Sequence, residues 1–144
     1  MNNFYSTTRE DFNRFRVDNE TSNLISLTRA KNAYKRGVET LSLKKDDELI
    51  AIVSLRRPYP RMLEASSLVS NKVEKYPVFY TKNLKALIDA VFESDKLDRL
   101  QMFTKDTDKN RKWGKTLGME LEVELPKYGT DSVKHLLFSK VRED

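Results

Sequence analysis

The stretch Leu97–Val141 decides the fold, above all its central run KNRKWGKTLGMELEVELPKYG at residues 109–129. Just before that run, Asp98–Thr104 predicts a strand with Leu100 and Met102 on one face and Gln101 and Phe103 on the other. Asp106 or Thr107 can cap a short basic helix that follows this strand. That helix ends near Leu117, because the glycine after it suits a left-handed stop.

The second half of the stretch predicts an antiparallel hairpin. Its strands are Met119–Leu125 and Lys134–Val141, and residues 126–131 (PKYGTD) form the turn. The stretch as a whole therefore predicts the order strand, helix, strand, strand.

Upstream, the hydrophobic period changes several times. The predicted elements are a strand at Phe4–Tyr5, helices over Arg9–Val17 and Thr21–Arg36, and strands over Val38–Leu43, Leu49–Leu55 and Met62–Val69. Residues 56–60 (RRPYP) are predicted to end the strand before them, because proline removes ladder donors. A third helix has a core-facing stripe at helical spacing: Leu84, Leu87, Ile88, Val91 and Phe92. Since this helix links two strands, it predicts one parallel pairing.

Composition limits the classes of protein that remain. A chain of 144 residues predicts a single domain over residues 1–144 that can bury a core. It is 38% hydrophobic and 34% charged and has no apolar run long enough to span a membrane. The first residues lack the apolar segment of a secretory signal. With no cysteine and one histidine, His135, no metal site is predicted.

The predicted helix of the opening stretch is rich in basic residues. The whole chain has 27 Lys and Arg against 22 Asp and Glu, a net charge of +5, which favours contact with polyanions. One interpretation is a face that binds nucleic acid or another polyanion, and the other is a solvated helix docked through Trp113 and Leu117. The basic residues are Lys105, Lys109, Arg111, Lys112 and Lys115.

This element order resembles the GNAT acyltransferase superfamily over essentially the whole chain. Many members carry, after the fifth strand, a helix of the form N-x-x-[AS]-x-x-x-Y-x-x-x-G-[FM], and its end matches Lys115–Met119 (KTLGM). The Tyr128-Gly129 turn and the apolar return at residues 136–138 (LLF) match as well. The resemblance implies an α/β (α+β) fold, a mixed and mostly antiparallel central sheet flanked by about four helices.

Within that helix motif, the functional positions hold other residues. The family Asn falls on Thr107 and the Ala/Ser on Asn110. The family Tyr, a common general acid toward the departing thiolate, falls on Gly114, which can donate no proton. Glycine costs a helix about 1 kcal/mol relative to alanine. Either something other than helix stability favours Gly114, or the helix forms imperfectly.

The family also places a glycine-rich pyrophosphate loop, [RQ]-x-x-G-x-[GA], before the third helix. Here Ser70–Phe79 contains no glycine, while Glu74 would repel a diphosphate. If acetyl-CoA binds, the resemblance implies contacts from Val69, Ser70, Asn71, Lys72, Lys75, Thr107 and Asn110. It also implies Glu64 as a candidate base toward an amine; the other interpretation of Glu64 is an exposed strand residue.

The pattern is closer still to the degenerate acetyltransferase-like proteins of short-tailed lytic bacteriophages, which are associated with virion assembly. The matching pieces are residues 38–43 (VETLSL), 49–55 (LIAIVSL), 66–73 (SSLVSNKV) and 115–124 (KTLGMELEVE). This implies a non-catalytic homologue in virion assembly or inside the virion, with phage structural proteins as partners, located in the virion or host cytoplasm. The alternative is an active N-acetyltransferase with acetyl-CoA as cofactor, so enzyme status stays open.

Overall fold

A computed structural model of the chain describes residues 3–17, 21–129 and 132–143. The strands are β1 (Phe4–Ser6), β2 (Glu39–Lys45), β3 (Glu48–Tyr59), β4 (Met62–Val69), β5 (Arg99–Lys105), β6 (Glu120–Tyr128) and β7 (Val133–Val141). The α-helices are α1 (Arg9–Arg14), α2 (Thr21–Lys35), α3 (Pro77–Ser94) and α4 (Asp108–Thr116), and one 3-10 turn spans Val73–Lys75. The predicted element order is confirmed. None of the helices described is long and apolar enough to cross a membrane.

The seven strands form one sheet in the order β1-β2-β3-β4-β5-β7-β6. β4 and β5 pair in parallel, with Met62 opposite Arg99 and Glu64 opposite Gln101. The pairs β1–β2, β2–β3, β5–β7 and β6–β7 are antiparallel. The parallel step follows α3, as the sequence predicts. In the part of the chain that the structure describes, the mostly antiparallel sheet with four helices confirms the predicted fold class.

The described residues cluster into two compact units, which divide β3, β4 and α3 between them. The first unit comprises residues 3–17, 21–56 and 66–80, and the second residues 57–65, 81–129 and 132–143. The prediction of a single domain over residues 1–144 stays a prediction.

The first unit has a core built from α1 and β3. Phe12 and Phe15 are buried against Leu49 and Ile52, and side chains of α2 pack on this cluster. The rings of Phe12 and Tyr34 lie 5.3 Å apart between centroids. This packing explains why α1 stops at Arg14 rather than at the predicted Val17. Phe15 adopts an extended backbone that is incompatible with a further helical turn.

A buried carboxylate joins α1 to β2. Asp11 is 2% exposed and accepts hydrogen bonds from the Thr8 N–H at 3.0 Å and from the Ser42 hydroxyl at 2.9 Å. Its other oxygen lies 3.1 Å from Lys44 Nζ. The Thr8 hydroxyl in turn accepts from the Asp11 N–H and completes a capping box.

The second unit is built around the stripe predicted on α3. Leu84, Leu87, Ile88 and Phe92 are all buried, together with Leu100 of β5. The β6–β7 hairpin is also as predicted in type, although β6 continues to Tyr128 through part of the predicted turn. The last turn residues of that prediction, Thr130 and Asp131, lie outside the described residues.

The end of β3 was predicted wrongly. β3 does not end before Arg56 but continues through Pro58 to Tyr59. Its register with β2 ends at Leu55, opposite Glu39, where β2 begins. Beyond that point a proline interrupts no hydrogen bond to β2, so the strand tolerates it.

Candidate functional site

The segment between β4 and α3 contains the residues that the sequence predicts near a cofactor diphosphate. Ser70 is buried, and its N–H donates to the Ile50 carbonyl at 2.9 Å. The N–H of Asn71 donates to the Arg16 carbonyl at 3.0 Å. These bonds fasten the end of β4 to β3 and to the residues after α1.

The following backbone amides are used by the 3-10 turn itself. The bonds run from Lys72 N to Ser70 Oγ (3.2 Å), Val73 N to Ser70 O (3.1 Å), Lys75 N to Lys72 O (3.1 Å) and Tyr76 N to Val73 O (3.0 Å). Pro77, which begins α3, has no N–H to offer. Across residues 70–76, six N–H groups therefore already donate to acceptors within the chain.

Nearby side chains also compensate one another. Lys72 Nζ lies 3.8 Å from Glu48 Oε2, and the Tyr76 hydroxyl donates to Glu48 Oε1 at 3.3 Å. Burial and the neighbouring Glu48 carboxylate raise the pKa of Tyr76. Lys45 Nζ lies 5.5 Å from the ring centroid of Tyr76 and 5.0 Å from that of Phe79, within cation–π range.

These residues do not fit a coenzyme A diphosphate held as the family loop would hold it. Such a loop needs backbone N–H groups that are free to donate and glycines that let the phosphates approach. Here most of the amides are engaged and glycine is absent. Glu74 adds a negative charge in the middle of the segment, while Lys75 is exposed.

The remaining predicted contacts fall in different places. Val69 is the last residue of β4 and is 36% exposed, in the same unit as Ser70–Lys75. Glu64, also on β4, is half-buried opposite Gln101 and belongs to the second unit, as do Thr107 and Asn110. The role of these residues toward a cofactor stays a prediction.

Tyr80 of α3 is a buried polar residue that the sequence reasoning did not single out. Its hydroxyl lies 2.7 Å from the Ser67 hydroxyl of β4, and burial raises the pKa of Tyr80 to about 12 although Ser67 opposes this. A phenol with this pKa stays protonated at neutral pH and acts as a hydrogen-bonding group. Its position four residues before Leu84 was a usable signal, because it extends the apolar stripe of α3.

The start of α4 uses both residues that align with the family helix motif. The Thr107 hydroxyl accepts from the Asn110 N–H at 3.0 Å and caps the helix. The Asn110 side-chain amide donates to the Lys105 carbonyl at 3.0 Å. Both side chains therefore have a local structural role in fixing how β5 leads into α4.

Gly114 of α4 lies in very close contact with β7. It is buried, and a Cβ atom placed there would lie 2.4 Å from Cε1 and Cζ of the Phe138 ring. Real Cβ atoms essentially never approach another heavy atom so closely. The absence of a side chain at residue 114 therefore lets the Phe138 ring of β7 pack directly against the helix backbone.

Charges beside α4 form a compact network. The Arg111 guanidinium donates to both oxygens of Asp106, at 2.7 and 3.0 Å, and to Glu124 of β6. Lys134 Nζ lies 3.4 Å from Asp106. Hydrogen bonds to Asp106 and Glu124 raise the pKa of Arg111, and the guanidinium holds the pKa of both carboxyls below their usual values.

His135 packs within the β6–β7 hairpin. Its Nδ1 lies 2.8 Å from the Val133 carbonyl, and its ring meets Tyr128 edge-on at 5.5 Å between centroids. Tyr128 stacks on Phe103 at the same distance. Among the residues described, no three His, Cys, Asp or Glu side chains are grouped so that they could hold a metal ion.

Comparison with known proteins supports the fold. No family model matches the chain, and no curated protein is similar to it in sequence. Solved structures do match. An acetyltransferase of the GNAT family from Bacillus anthracis has a TM-score of 0.74 at 12% identity, covering 96% of this chain and 93% of that one.

Two further structures extend the comparison. A chimeric spermidine N-acetyltransferase from Vibrio cholerae has a TM-score of 0.68 at 12% identity, over 96% of this chain and 95% of that one. The ribosomal-protein α-N-acetyltransferase RimL, solved in complex with coenzyme A, has a TM-score of 0.63 at 10% identity. The match covers 81% of this chain and 70% of that one. At such identities the likeness shows that this chain has the GNAT acetyltransferase fold.

Proposed function

We propose that this chain keeps the GNAT acetyltransferase fold without catalysing acetyl transfer. The observation that carries this proposal is the hydrogen bonding of the segment after β4. The N–H groups of residues 70–73, 75 and 76 donate to acceptors within the chain. A bound diphosphate would have to compete with these bonds for the same N–H groups, and each such intramolecular bond contributes about 0.5–1.5 kcal/mol net.

Gly114 supports the same conclusion from the second unit. It stands where the family resemblance implies the proton donor to the leaving thiolate, and it has no side chain. The Phe138 ring fills the space that a side chain at residue 114 would enter. Recovering a tyrosine there would require the packing of α4 on β7 to change as well.

The alternative function is an active N-acetyltransferase, which the enzymes with this fold favour. Calorimetric titration with acetyl-CoA to millimolar concentration separates the two. We expect no saturable heat, since the segment offers few free N–H donors to the diphosphate. An acetyltransferase that binds coenzyme A serves as the positive control. Saturable binding of one ligand per chain would support the enzyme and contradict the proposal.

The role proposed in place of catalysis is in phage particles, either in their assembly or as an internal component. The support is the resemblance of the sequence to acetyltransferase-like phage proteins at residues 38–43, 49–55, 66–73 and 115–124. We expect mass spectrometry to find the protein in purified virions or in assembly intermediates of the phage that encodes it. Its absence from both, with a known minor virion protein detected in the same samples, would contradict this role.

A further inference from the structure

We propose that the exposed face of α4 binds the phosphate backbone of duplex DNA without sequence preference, through Lys109, Lys112 and Lys115. This goes beyond the proposed function, because it concerns a surface rather than the cofactor region. All three side chains are exposed. None of them forms an ion pair with any residue in the described part of the chain.

Two of the acids near α4 form no ion pair with these lysines because other basic residues already bind them. Asp106 and Glu124 are both bound by Arg111, and Lys134 lies 3.4 Å from Asp106. Two acids and two bases thus form a network of zero net charge. Of the five basic residues in the sequence pattern, Arg111 is therefore left out of the proposed DNA-binding face, because its guanidinium binds Asp106 and Glu124.

The three lysines also have a regular spacing. Residues three apart on an α-helix are neighbours and rise about 4.5 Å along its axis, so three such lysines form a stripe about 9 Å long. Asp108 is the one acidic residue within α4, and it lies in the first turn. A duplex strand carries one phosphate per about 3.4 Å of helix axis, so flexible lysine stems can meet two or three phosphates at once.

The helix that carries the three lysines is held in place at its start and along its buried side. Thr107 caps the start of α4, and its buried side rests on the Phe138 ring through Gly114. Trp113 is partly buried rather than fully exposed, so the face lacks an open aromatic surface on which unpaired bases could stack. Single-strand binding sites usually combine basic grooves with such aromatic surfaces. Lysine charges without them favour the backbone of a duplex.

The test is the binding of a fluorescent duplex of about 25 base pairs and arbitrary sequence to the full chain, followed by anisotropy between 50 and 200 mM salt. Three phosphate contacts predict a slope of about −2.7 in log K against log salt, which is about a 40-fold loss over this range. The triple variant Lys109→Gln/Lys112→Gln/Lys115→Gln is expected to lose most of the binding and nearly all of the slope.

A matched control removes the same charge elsewhere, as Lys31→Gln/Lys35→Gln/Lys82→Gln, and is expected to keep the slope. If both triples weaken binding equally, net charge and not this face is responsible, which would overturn the proposal. Wild type that does not bind the duplex would also overturn it. So would equal competition by poly-glutamate or tighter binding of a single strand. Should the triple variant fold poorly, Lys112→Gln alone is expected to reduce the magnitude of the salt slope by about 1.

Discussion

Replacing Gly114 by alanine is expected to lower the free energy of unfolding by about 1–3 kcal/mol, the usual cost of overpacking a core. A loss of stability is unusual for this change, because replacing glycine by alanine inside a helix normally stabilises the helix by about 1 kcal/mol. Here the added Cβ would lie 2.4 Å from the Phe138 ring, so the ring or the helix must move. Urea unfolding followed by circular dichroism measures the change.

The rescue experiment identifies the contact responsible. In a Phe138→Leu background the ring is gone, and Gly114→Ala is expected to cost much less or to stabilise the protein. Thr116→Ala, an exposed position on the same helix, is the control and should stay within about 0.5 kcal/mol of wild type. A stabilising Gly114→Ala in the wild-type background would contradict this account of α4 packing on β7.

Replacing Asp11 by alanine is expected to lower the free energy of unfolding by about 2–4 kcal/mol. Loss of the carboxylate leaves the Thr8 N–H without its acceptor, in a part of the chain where Asp11 is 2% exposed. The Ser42 hydroxyl also loses a bond, although the Thr7 hydroxyl, 2.8 Å away, remains within reach. Breaking a fully buried ion pair costs about 3–5 kcal/mol. The expected value is lower because the Lys44 side chain is 23% exposed and can regain water.

The pH dependence of this effect has a definite sign. Burial alone would raise the pKa of Asp11, but hydrogen bonds from Thr8, Lys44 and Ser42 outweigh it and hold the pKa below 3.8. A carboxyl whose pKa is lower in the folded than in the unfolded state stabilises the fold at pH values above the unfolded-state pKa. This stabilisation is lost as the pH falls through the folded-state pKa. The difference in unfolding free energy between wild type and Asp11→Asn should therefore shrink from pH 7 to pH 3.

A neighbouring acid provides the comparison for Asp11. Glu10 lies in the same turn of α1 and is exposed, so Glu10→Gln should change stability little at either pH. If Asp11→Asn behaved like Glu10→Gln at pH 7, or lost as much stability at pH 3 as at pH 7, the buried network would not contribute as described.

The spacing of hydrophobic residues predicted the helices and strands because it reflects which face of each one is buried. The stripe of Leu84, Leu87, Ile88 and Phe92 is buried in the structure, and Gly37 after α2 and Gly118 after α4 adopt positive φ as stop residues. Local rules failed where a tertiary partner decided the outcome. β3 passes Pro58 because its β2 partner has already ended, and α1 stops early because Phe15 turns into the core.

The candidate site was less predictable, for a physical reason. The sequence shows that Ser70–Phe79 lacks glycine, but it cannot show that the Asn71 N–H meets the Arg16 carbonyl or that the Ser70 N–H meets that of Ile50. These partners are distant in sequence and depend on how the strands lie. The helix cost at Gly114 indicated that something other than helix stability could favour glycine there, and only the structure shows that the reason is packing against Phe138.

The central claim is that six of the seven backbone N–H groups of Ser70–Tyr76 already donate within the chain, so that the segment does not receive a diphosphate. The most direct measurement is an amide NMR titration of the uniformly ¹⁵N-labelled protein with acetyl-CoA. We expect the amide signals of residues 70–76 to keep their positions up to millimolar ligand. Saturable shifts concentrated at these amides would mean that the segment opens to hold the phosphates, and would contradict the claim.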